Sequence, residues 1–497
     1  MPTKNNYVMT SVQSGWTHAE QFWEMHSQSR LVVDPASYTI ESALQQIMDL
    51  FQAEIVDGVL PPAGLPVVKG PAAEAGPGDI FIQLEESADP DKQESYTLAI
   101  GQYIHLRAAS GRALLYALRT LLLQAAKDQQ RLAFGTVTDY PVLQERALHL
   151  DMGRKFFSCD WIKARIREMS RLRLNTLQLH FSENEGFRLE SKRHPEVLSD
   201  EYMTQDELAE VLKEAAAYQV TVIPSFDSPG HLGHALRLHQ EWLLHNHAGQ
   251  AAKGALDITN PQAKAFVFDL IEEYAELFKD SPFFHIGGDE FIDFEHFDQY
   301  PQLAQYARET LGVAGGTGID AYLHYINEVA DMLESKGFVV RAWNDGLYRA
   351  NQTQRVELKT SIQITYWTKW HHNMASVQTI LDQGHELINF NDAFFYYVLG
   401  ENAGYKYPTG DKIYDAWHPG LFPRVNESEK QEYLPPYPPQ LKGCSFAIWS
   451  DKPEAQTQEE VSAGIQEPLI AMAELSWIGE KRMGSFDEVK AAFAAFS

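Results

Sequence analysis

From about residue 145 onward, short apolar, β-rich runs alternate with longer segments whose apolar residues recur at helical spacing. The runs are "RALHLD" (146–151), "NTLQLHF" (175–181), "TVIPSFD" (221–227), "FFHIGG" (283–288), "FVVRAW" (338–343), "SIQITYW" (361–367), "ELINFND" (386–392) and "CSFAIW" (444–449). Between them lie "DWIKARIREMSRLRL", "QDELAEVLKEAAAYQV", "QAKAFVFDLIEEYAELF", "DAYLHYINEVADMLESKG" and "SVQTILDQG", and a last helix, "PLIAMAELSWIG", closes the series. Eight β/α units in about 350 residues predict an α/β fold, a (β/α)8 TIM barrel with long loops. A doubly wound open sheet would need a glycine-rich phosphate turn after an early strand, and Gly153 stands alone.

The first 140 residues have a different rhythm. Strands are predicted at "RLVVD" (30–34), "DIFIQLE" (79–85) and twice within "YTLAIGQYIHLRA" (96–108), where Gly101-Gln102 reads as a hairpin turn. Helices are predicted at 41–55 and 111–127, and the Pro/Gly/Ala-rich stretch 60–78 reads as loop. The order suits a small α+β domain with helices on one side of a strand layer. The expected division is residues 1–143 for this domain and 144–497 for the barrel.

Composition adds limits. With 44% hydrophobic and 22% charged residues the chain is globular, and its length suits a barrel plus a smaller domain. A net charge of -27 argues against nucleic acid and anionic membranes as partners. Cys159 and Cys444 form no disulfide framework and no zinc spacing. The N-terminal stretch has no apolar segment of signal-peptide length, and no run suggests a membrane span, so a cytoplasmic enzyme is expected.

In this barrel class, chemistry sits where strands end and βα loops begin. Strand 1 ends in Asp151 and Arg154; strand 2 in His180, Glu183 and Asn184; strand 3 in Asp227 and His231; strand 4 in Asp289 and Glu290. Strands 5, 6 and 8 end in Trp343, Trp367 and Trp449, strand 7 leads to Tyr396 and Tyr397, and Asp451 follows Trp449 by two. Each has a bland reading: a lone histidine braces a loop, a rim tryptophan packs, and an acid such as Asp160 caps a helix. Their convergence on one mouth suits a sugar cleft, in which aromatic faces cover C–H faces and carboxylates accept hydroxyl protons. Strand alternation should send Asp289 and Glu290 to different parts of one ligand. Gly287 and Gly288 are expected to let that ligand approach the backbone.

At these residues the sequence resembles glycoside hydrolase family 20, the β-N-acetylhexosaminidases. "HIGGDE" matches the family signature H-x-G-G-D-E, and "LHLDMGRKFF", "RLRLNTLQLHFSENEGFRLE" and "VIPSFDSPGH" resemble its first three strand motifs. The resemblance implies hydrolysis of terminal β-linked GlcNAc or GalNAc with retention, the substrate's own 2-acetamido oxygen attacking through an oxazolinium intermediate. It implies Glu290 as general acid and base, and Asp289 as the group that orients the acetamido N–H. It further implies Arg154 and Asp451 on outer hydroxyls, His231 toward Glu290 with Glu183 behind it, and Trp343, Trp367 and Trp449 around the acetamido group. Tyr396, favoured over Tyr397, would donate to the acetamido oxygen. No metal or organic cofactor is implied.

Departures are visible. Glu183 and Ser225 stand where the family commonly has Asp and Glu, "NFNDAFFYYVLG" departs from the usual "S…YLD", and the segment 409–430 has no counterpart. The expected partner is an N-acetylhexosamine-terminated oligosaccharide or glycoconjugate, with homodimer formation left open. A lacto-N-biosidase, which releases a disaccharide, is the alternative within the family. A silent sugar-binding barrel is the alternative outside catalysis.

Overall fold

The structure, a computed structural model, describes residues 12–14, 20–56, 58, 64–85, 87–127 and 129–493. Most of the N-terminal stretch read for an export signal, and residues 60–63 of the predicted loop, lie outside these.

Eight parallel strands close into a barrel: β1 (Glu145–Asp151), β2 (Thr176–His180), β3 (Thr221–Ser225), β4 (Phe283–His285), β5 (Val339–Trp343), β6 (Gln363–Tyr366), β7 (Leu387–Asn389) and β8 (Leu441–Trp449). Neighbours follow chain order, and β8 pairs with both β7 and β1 to complete the ring. All eight fall on runs predicted from apolar patterning. The strands are buried nearly throughout because helices cover the outside and side chains fill the inside. Strand β8 is long, and its upper half pairs with an extra strand, Tyr396–Val398, with Tyr396 opposite Ala447. That pairing fixes Tyr396 at the barrel mouth.

Helix ends follow local chemistry. Thr204 and Glu207 form a capping box before Gln205–Ala217, and Asn260 caps Pro261–Leu277 with proline in the first turn. Two expectations are corrected. Ser158, not Asp160, caps the helix Cys159–Arg171; Asp160 lies in its first turn, where a negative charge favours the helix dipole. The last barrel helix starts ten residues before Pro468, at Gln458, because Thr457 and Glu460 form a capping box; Pro468 is carried inside it. A further helix, Phe486–Phe493, follows.

The N-terminal domain is a six-stranded mixed sheet, ordered Val67–Lys69, Leu31–Val33, Ile80–Leu84, Ile104–Ala108, Tyr96–Ile100, Gly135–Asp139. The hairpin at Gly101-Gln102 forms as predicted. The stretch read as loop contributes an edge strand, Val67–Lys69, which pairs with Leu31–Val33. The helix Gly111–Lys127 holds a continuous run of buried apolar residues from Ala113 to Leu118. Its Arg119 crosses to the barrel, donating to the Ser170 carbonyl at 2.8 Å, and Arg173 of the barrel pairs with Asp139 at 3.0 Å. A cavity of about 640 Å³ lies at the lower end of the barrel, lined by Glu94 and Arg112 of the small domain and Glu145, Arg341 and Gln363 of the strands.

Candidate active site

The upper mouth is organised by the turn that follows β4. The strand stops at His285, whose ring braces the turn: Nδ1 accepts from the Gly287 N–H at 3.1 Å and Nε2 lies 2.8 Å from Thr365 Oγ1. Gly287 and Gly288 then take φ of +75° and +90°, and Glu290 takes +44°. Two expectations change here. The acids diverge because of this left-handed turn, not because of strand alternation. The glycines make room for protein rather than ligand, since a Cβ on Gly287 would sit 2.6 Å from the Asp227 carboxyl. Glu290 holds a backbone conformation costly for a residue with a side chain, and the Asp345 carboxylate accepts its N–H at 3.0 Å.

His231 sits between the two acids. Its Nε2 lies 3.4 Å from Asp289 Oδ2 and 3.5 Å from Glu290 Oε2, while Nδ1 is 2.9 Å from Glu183 Oε2. Glu183 also pairs with Arg154 at 2.7 Å and with His180 at 3.3 Å. Arg154 is further held by Asp151 at 2.9 Å. The longer side chain of Glu183 therefore reaches His231 and Arg154 together. Ser225, where a carboxylate is usual, lies within hydrogen-bond distance of His180 and Gln178.

The charges follow from these contacts. Burial disfavours the His231 cation, but Glu183 and Asp289 outweigh it and hold its pKa well above the ordinary value. Burial opposes the Glu183 anion too, yet His231 and Arg154 keep its carboxyl well below the usual range. Hydrogen bonding from His231 also lowers the Glu290 pKa. Burial raises Asp227 to about 7 and Asp345 to about 8, with Asp289 adding to both. In the free site the shared proton thus rests on His231. Asp227, His231 and Asp289 place ligand atoms within 4.8 Å of one another, as do His180, Glu183 and Asp227.

The cavity above has a volume of about 330 Å³, at the small end of ligand pockets. Its lining includes every predicted site residue: Arg154, Glu183, His231, Asp289, Glu290, Trp343, Trp367, Tyr396, Trp449 and Asp451. Tyr396 stacks parallel to Trp367 with centroids 5.7 Å apart, whereas Tyr397 turns away and stacks on Tyr407. Burial pushes the Tyr396 phenol well above its ordinary pKa, so it remains a donor. Asp289 is mostly buried; the Glu290 side chain is 51% exposed and stands at the opening. Several buried polar atoms here lack a partner: Asp289 Oδ1, both Asp227 oxygens, and the indole N–H of Trp343 and Trp449.

Sequence reasoning missed Asp345, Trp370, Val398 and Tyr405. Asp345 accepts from both Glu290 N and Trp367 Nε1, the latter at 3.3 Å. A signal for it was present: "WND" at 343–345 repeats the Trp-x-Asp spacing of Trp449 and Asp451. Trp370 and Tyr405 line the cavity from the loops after β6 and β7, and Val398 from the extra strand Tyr396–Val398. The segment 409–430 contributes no lining residue; its helix Gly410–Ala416 packs on Gln458–Ile478, and Asn389 donates to its Leu421 carbonyl at 2.9 Å.

Comparisons with known proteins place the chain in a family and match its fold. A family model described as "Glycosyl hydrolase family 20, catalytic domain" matches residues 144–480, and "Glycosyl hydrolase family 20, domain 2" matches 18–140. A lacto-N-biosidase of Bifidobacterium bifidum is 27% identical over 96% of this chain and 40% of its own length. A beta-hexosaminidase subunit A2 of Dictyostelium discoideum is 26% identical over 68% of this chain and 60% of its own. The chain thus spans about two to three fifths of these curated relatives. The solved structure of a beta-N-acetylhexosaminidase from Bacteroides fragilis superposes with a TM-score of 0.72 at 20% identity, covering 98% of this chain and 93% of that one, which shows a shared fold.

Proposed function

The chain belongs to glycosyl hydrolase family 20, and from that premise we propose that it is a retaining exo-β-N-acetylhexosaminidase that uses the substrate's acetamido group as its nucleophile. The observation that carries the reading is His231 Nε2 standing 3.4 Å from Asp289 and 3.5 Å from Glu290, one acid deep among tryptophans and the other at the opening.

A substrate that fills the cavity strips water from Glu290. Desolvation disfavours the carboxylate, and the proton held on His231 passes to it. Glu290 gives that proton to the glycosidic oxygen as the C–O bond breaks. The acetamido carbonyl oxygen attacks the anomeric carbon from the opposite face and closes an oxazolinium ring. Asp289 accepts the acetamido N–H and stabilises the positive charge that develops on the ring. Tyr396 donates to the acetamido oxygen, and the three tryptophans exclude water around it. Glu290 then takes a proton from water, which opens the ring and restores the starting configuration. Arg154 presents a planar fork of donors suited to vicinal hydroxyls, with Asp451 beside it.

A second reading, disaccharide release as in a lacto-N-biosidase, has its own support. The relative of that name aligns over 96% of this chain. In addition, an apolar side chain, Val398, lines the cavity two residues after Tyr396, where "YLD" would place a carboxylate. A panel of aryl β-glycosides differing at C2 and C4 tests the main reading: 2-acetamido sugars are expected to be cleaved and plain glucosides left intact. Ready cleavage of the glucosides would argue for an enzymic nucleophile. Release of disaccharide rather than monosaccharide from one tetrasaccharide would select the second reading.

A further inference from the structure

Four carboxylates line the upper cavity: Glu183, Asp289, Glu290 and Asp451. In the mechanism proposed above, Asp289 and Glu290 serve the acetamido group and the glycosidic bond. Glu183 is taken up by His231, His180 and Arg154. Asp451 stands with Arg154 on the arc formed by β8, β1 and β2. Val398, opposite Trp449 in the extra strand, lines that arc with an apolar side chain. Asp451 is therefore the carboxylate left to accept from an outer hydroxyl.

Register brings a second loop to Asp451. Because Val398 pairs with Trp449, the chain leaves the sheet at two adjacent points. Four residues beyond Val398, the Asn402 side-chain amide donates to Asp451 Oδ2 at 3.0 Å. Among the described residues this is the only hydrogen bond to that carboxylate, and it leaves Oδ1 for a ligand. Asn402 itself does not line the cavity; its neighbours Ala403 and Tyr405 do.

The loop that carries Asn402 is strained. Gly400, Glu401, Ala403 and Gly404 take φ of +74°, +49°, +51° and +86°, and two of these four have side chains that disfavour the left-handed region. Such a backbone persists only where its surroundings over-determine it. Here the Gly400 N–H donates to the Tyr407 hydroxyl at 2.9 Å, and Glu401 pairs with Lys406 at 2.7 Å. The Tyr405 N–H donates to the Asn402 carbonyl at 3.1 Å, and the Tyr405 hydroxyl donates to Asp392 at 3.1 Å. A Cβ on Gly400 would sit 2.6 Å from Lys452 Cδ, so the loop lies directly against the residue after Asp451.

We propose that Asn402 is a positioning residue: it fixes Asp451 so that Oδ1 accepts from the C4 or C6 hydroxyl of the sugar, and its strained loop sets discrimination at those carbons. The inference rests on the hydrolase reading, because it takes an N-acetylhexosamine in the cavity. A carboxylate already held by one oxygen loses little freedom when the other binds.

The test uses the aryl glycoside of whichever glycone the unmodified enzyme accepts, with its 4-deoxy and 6-deoxy analogues. Asn402→Ala is expected to lower kcat/KM about tenfold on the parent and to leave one of the deoxy analogues within about twofold, since that analogue lacks the hydroxyl Asp451 receives. Asn402→Asp keeps the shape, removes the donor and sets a like charge beside Asp451, so its loss on the parent should be at least as large. Equal losses on all three substrates, the mark of a merely structural role, would overturn the assignment. So would a parent rate unchanged in either variant. Both results leave the hydrolase reading standing. Failure of the unmodified enzyme to cleave any of these glycosides would overturn both.

Discussion

The two ends of the barrel differ in a way that volume alone would misrank. The lower cavity, at about 640 Å³, is nearly twice the size of the upper one at about 330 Å³. Yet its polar side chains are paired with one another. Arg341 is bidentate to Glu145, and Glu94 takes Arg112, Arg146 and Asn175. None of the lining residues there carries a buried unpartnered polar atom, among the described residues. At the upper end such atoms cluster on Asp227, Asp289, Trp343 and Trp449. Burying a polar group without a partner is costly, so a fold keeps a cluster of them where a ligand supplies the missing contacts. The lower end is polar for stability, and the upper end for chemistry.

The widest separation should come from one substitution at each end. Glu290→Gln is expected to cost two to four orders of magnitude in kcat, roughly the contribution of general acid catalysis. Its stability should stay within about 0.5 kcal/mol, because Glu290 is half exposed. Glu94→Ala should do the reverse. It strands the buried Arg146 and is expected to cost about 3–5 kcal/mol of stability in a denaturant melt, with turnover per folded molecule kept. A catalytic loss at Glu94, or a collapse of stability at Glu290, would erase the distinction.

A smaller effect sharpens the upper end. In the free enzyme Glu290 and His231 share one proton, with the Glu290 pKa lowered and the His231 pKa raised. The singly protonated pair therefore spans a wide pH range, entered as pH rises through the lowered Glu290 value and left as it passes the raised His231 value. His231→Gln removes the group that stores the proton. The alkaline limb of kcat/KM should then move to lower pH, toward the ordinary range of a carboxyl. An unmoved alkaline limb would take His231 out of the proton path.

The last expected effect is on the pH dependence of stability, at Asp227. Its pKa rises from 3.8 unfolded to about 7 folded, so the native state holds a proton that the unfolded chain has lost. This term makes stability fall as pH rises between about 4 and 7, and the loss is complete once pH passes the folded value. Asp227→Asn should flatten that part of the stability profile. An unchanged slope would mean that Asp227 is ionised in the fold.

Much of this was legible in the sequence for a physical reason. Barrel strands are buried on both faces, so each prints as an apolar run, and the polar residues at its end stand out. Most of those strand-end residues reach one cavity because the barrel gathers its strand ends at one mouth, while Asp151, His180 and Asp227 lie beneath it and Tyr397 turns away. What was not legible depended on contacts between distant segments. The strand Val67–Lys69 is defined by its pairing with Leu31–Val33, not by its own proline-rich surroundings. Gly287 is needed because Asp227, from another strand, occupies the space beside it. Trp370 reads as an ordinary loop tryptophan until Glu295 and Glu429 are seen to anchor its neighbours. The early start of Gln458–Ile478 was the exception, since the Thr457 and Glu460 capping box was there to be read ahead of Pro468.

The central claim is that the nucleophile belongs to the substrate, with Asp289 holding it in line. The most direct test is kcat/KM on aryl β-glycosides whose 2-acetamido group carries zero, one, two or three fluorine atoms. Fluorine withdraws electrons from the carbonyl oxygen while leaving the glycosidic bond and Glu290 untouched. The account predicts a steady fall in rate with each fluorine. A rate indifferent to fluorination would contradict it and point to a nucleophile supplied by the protein.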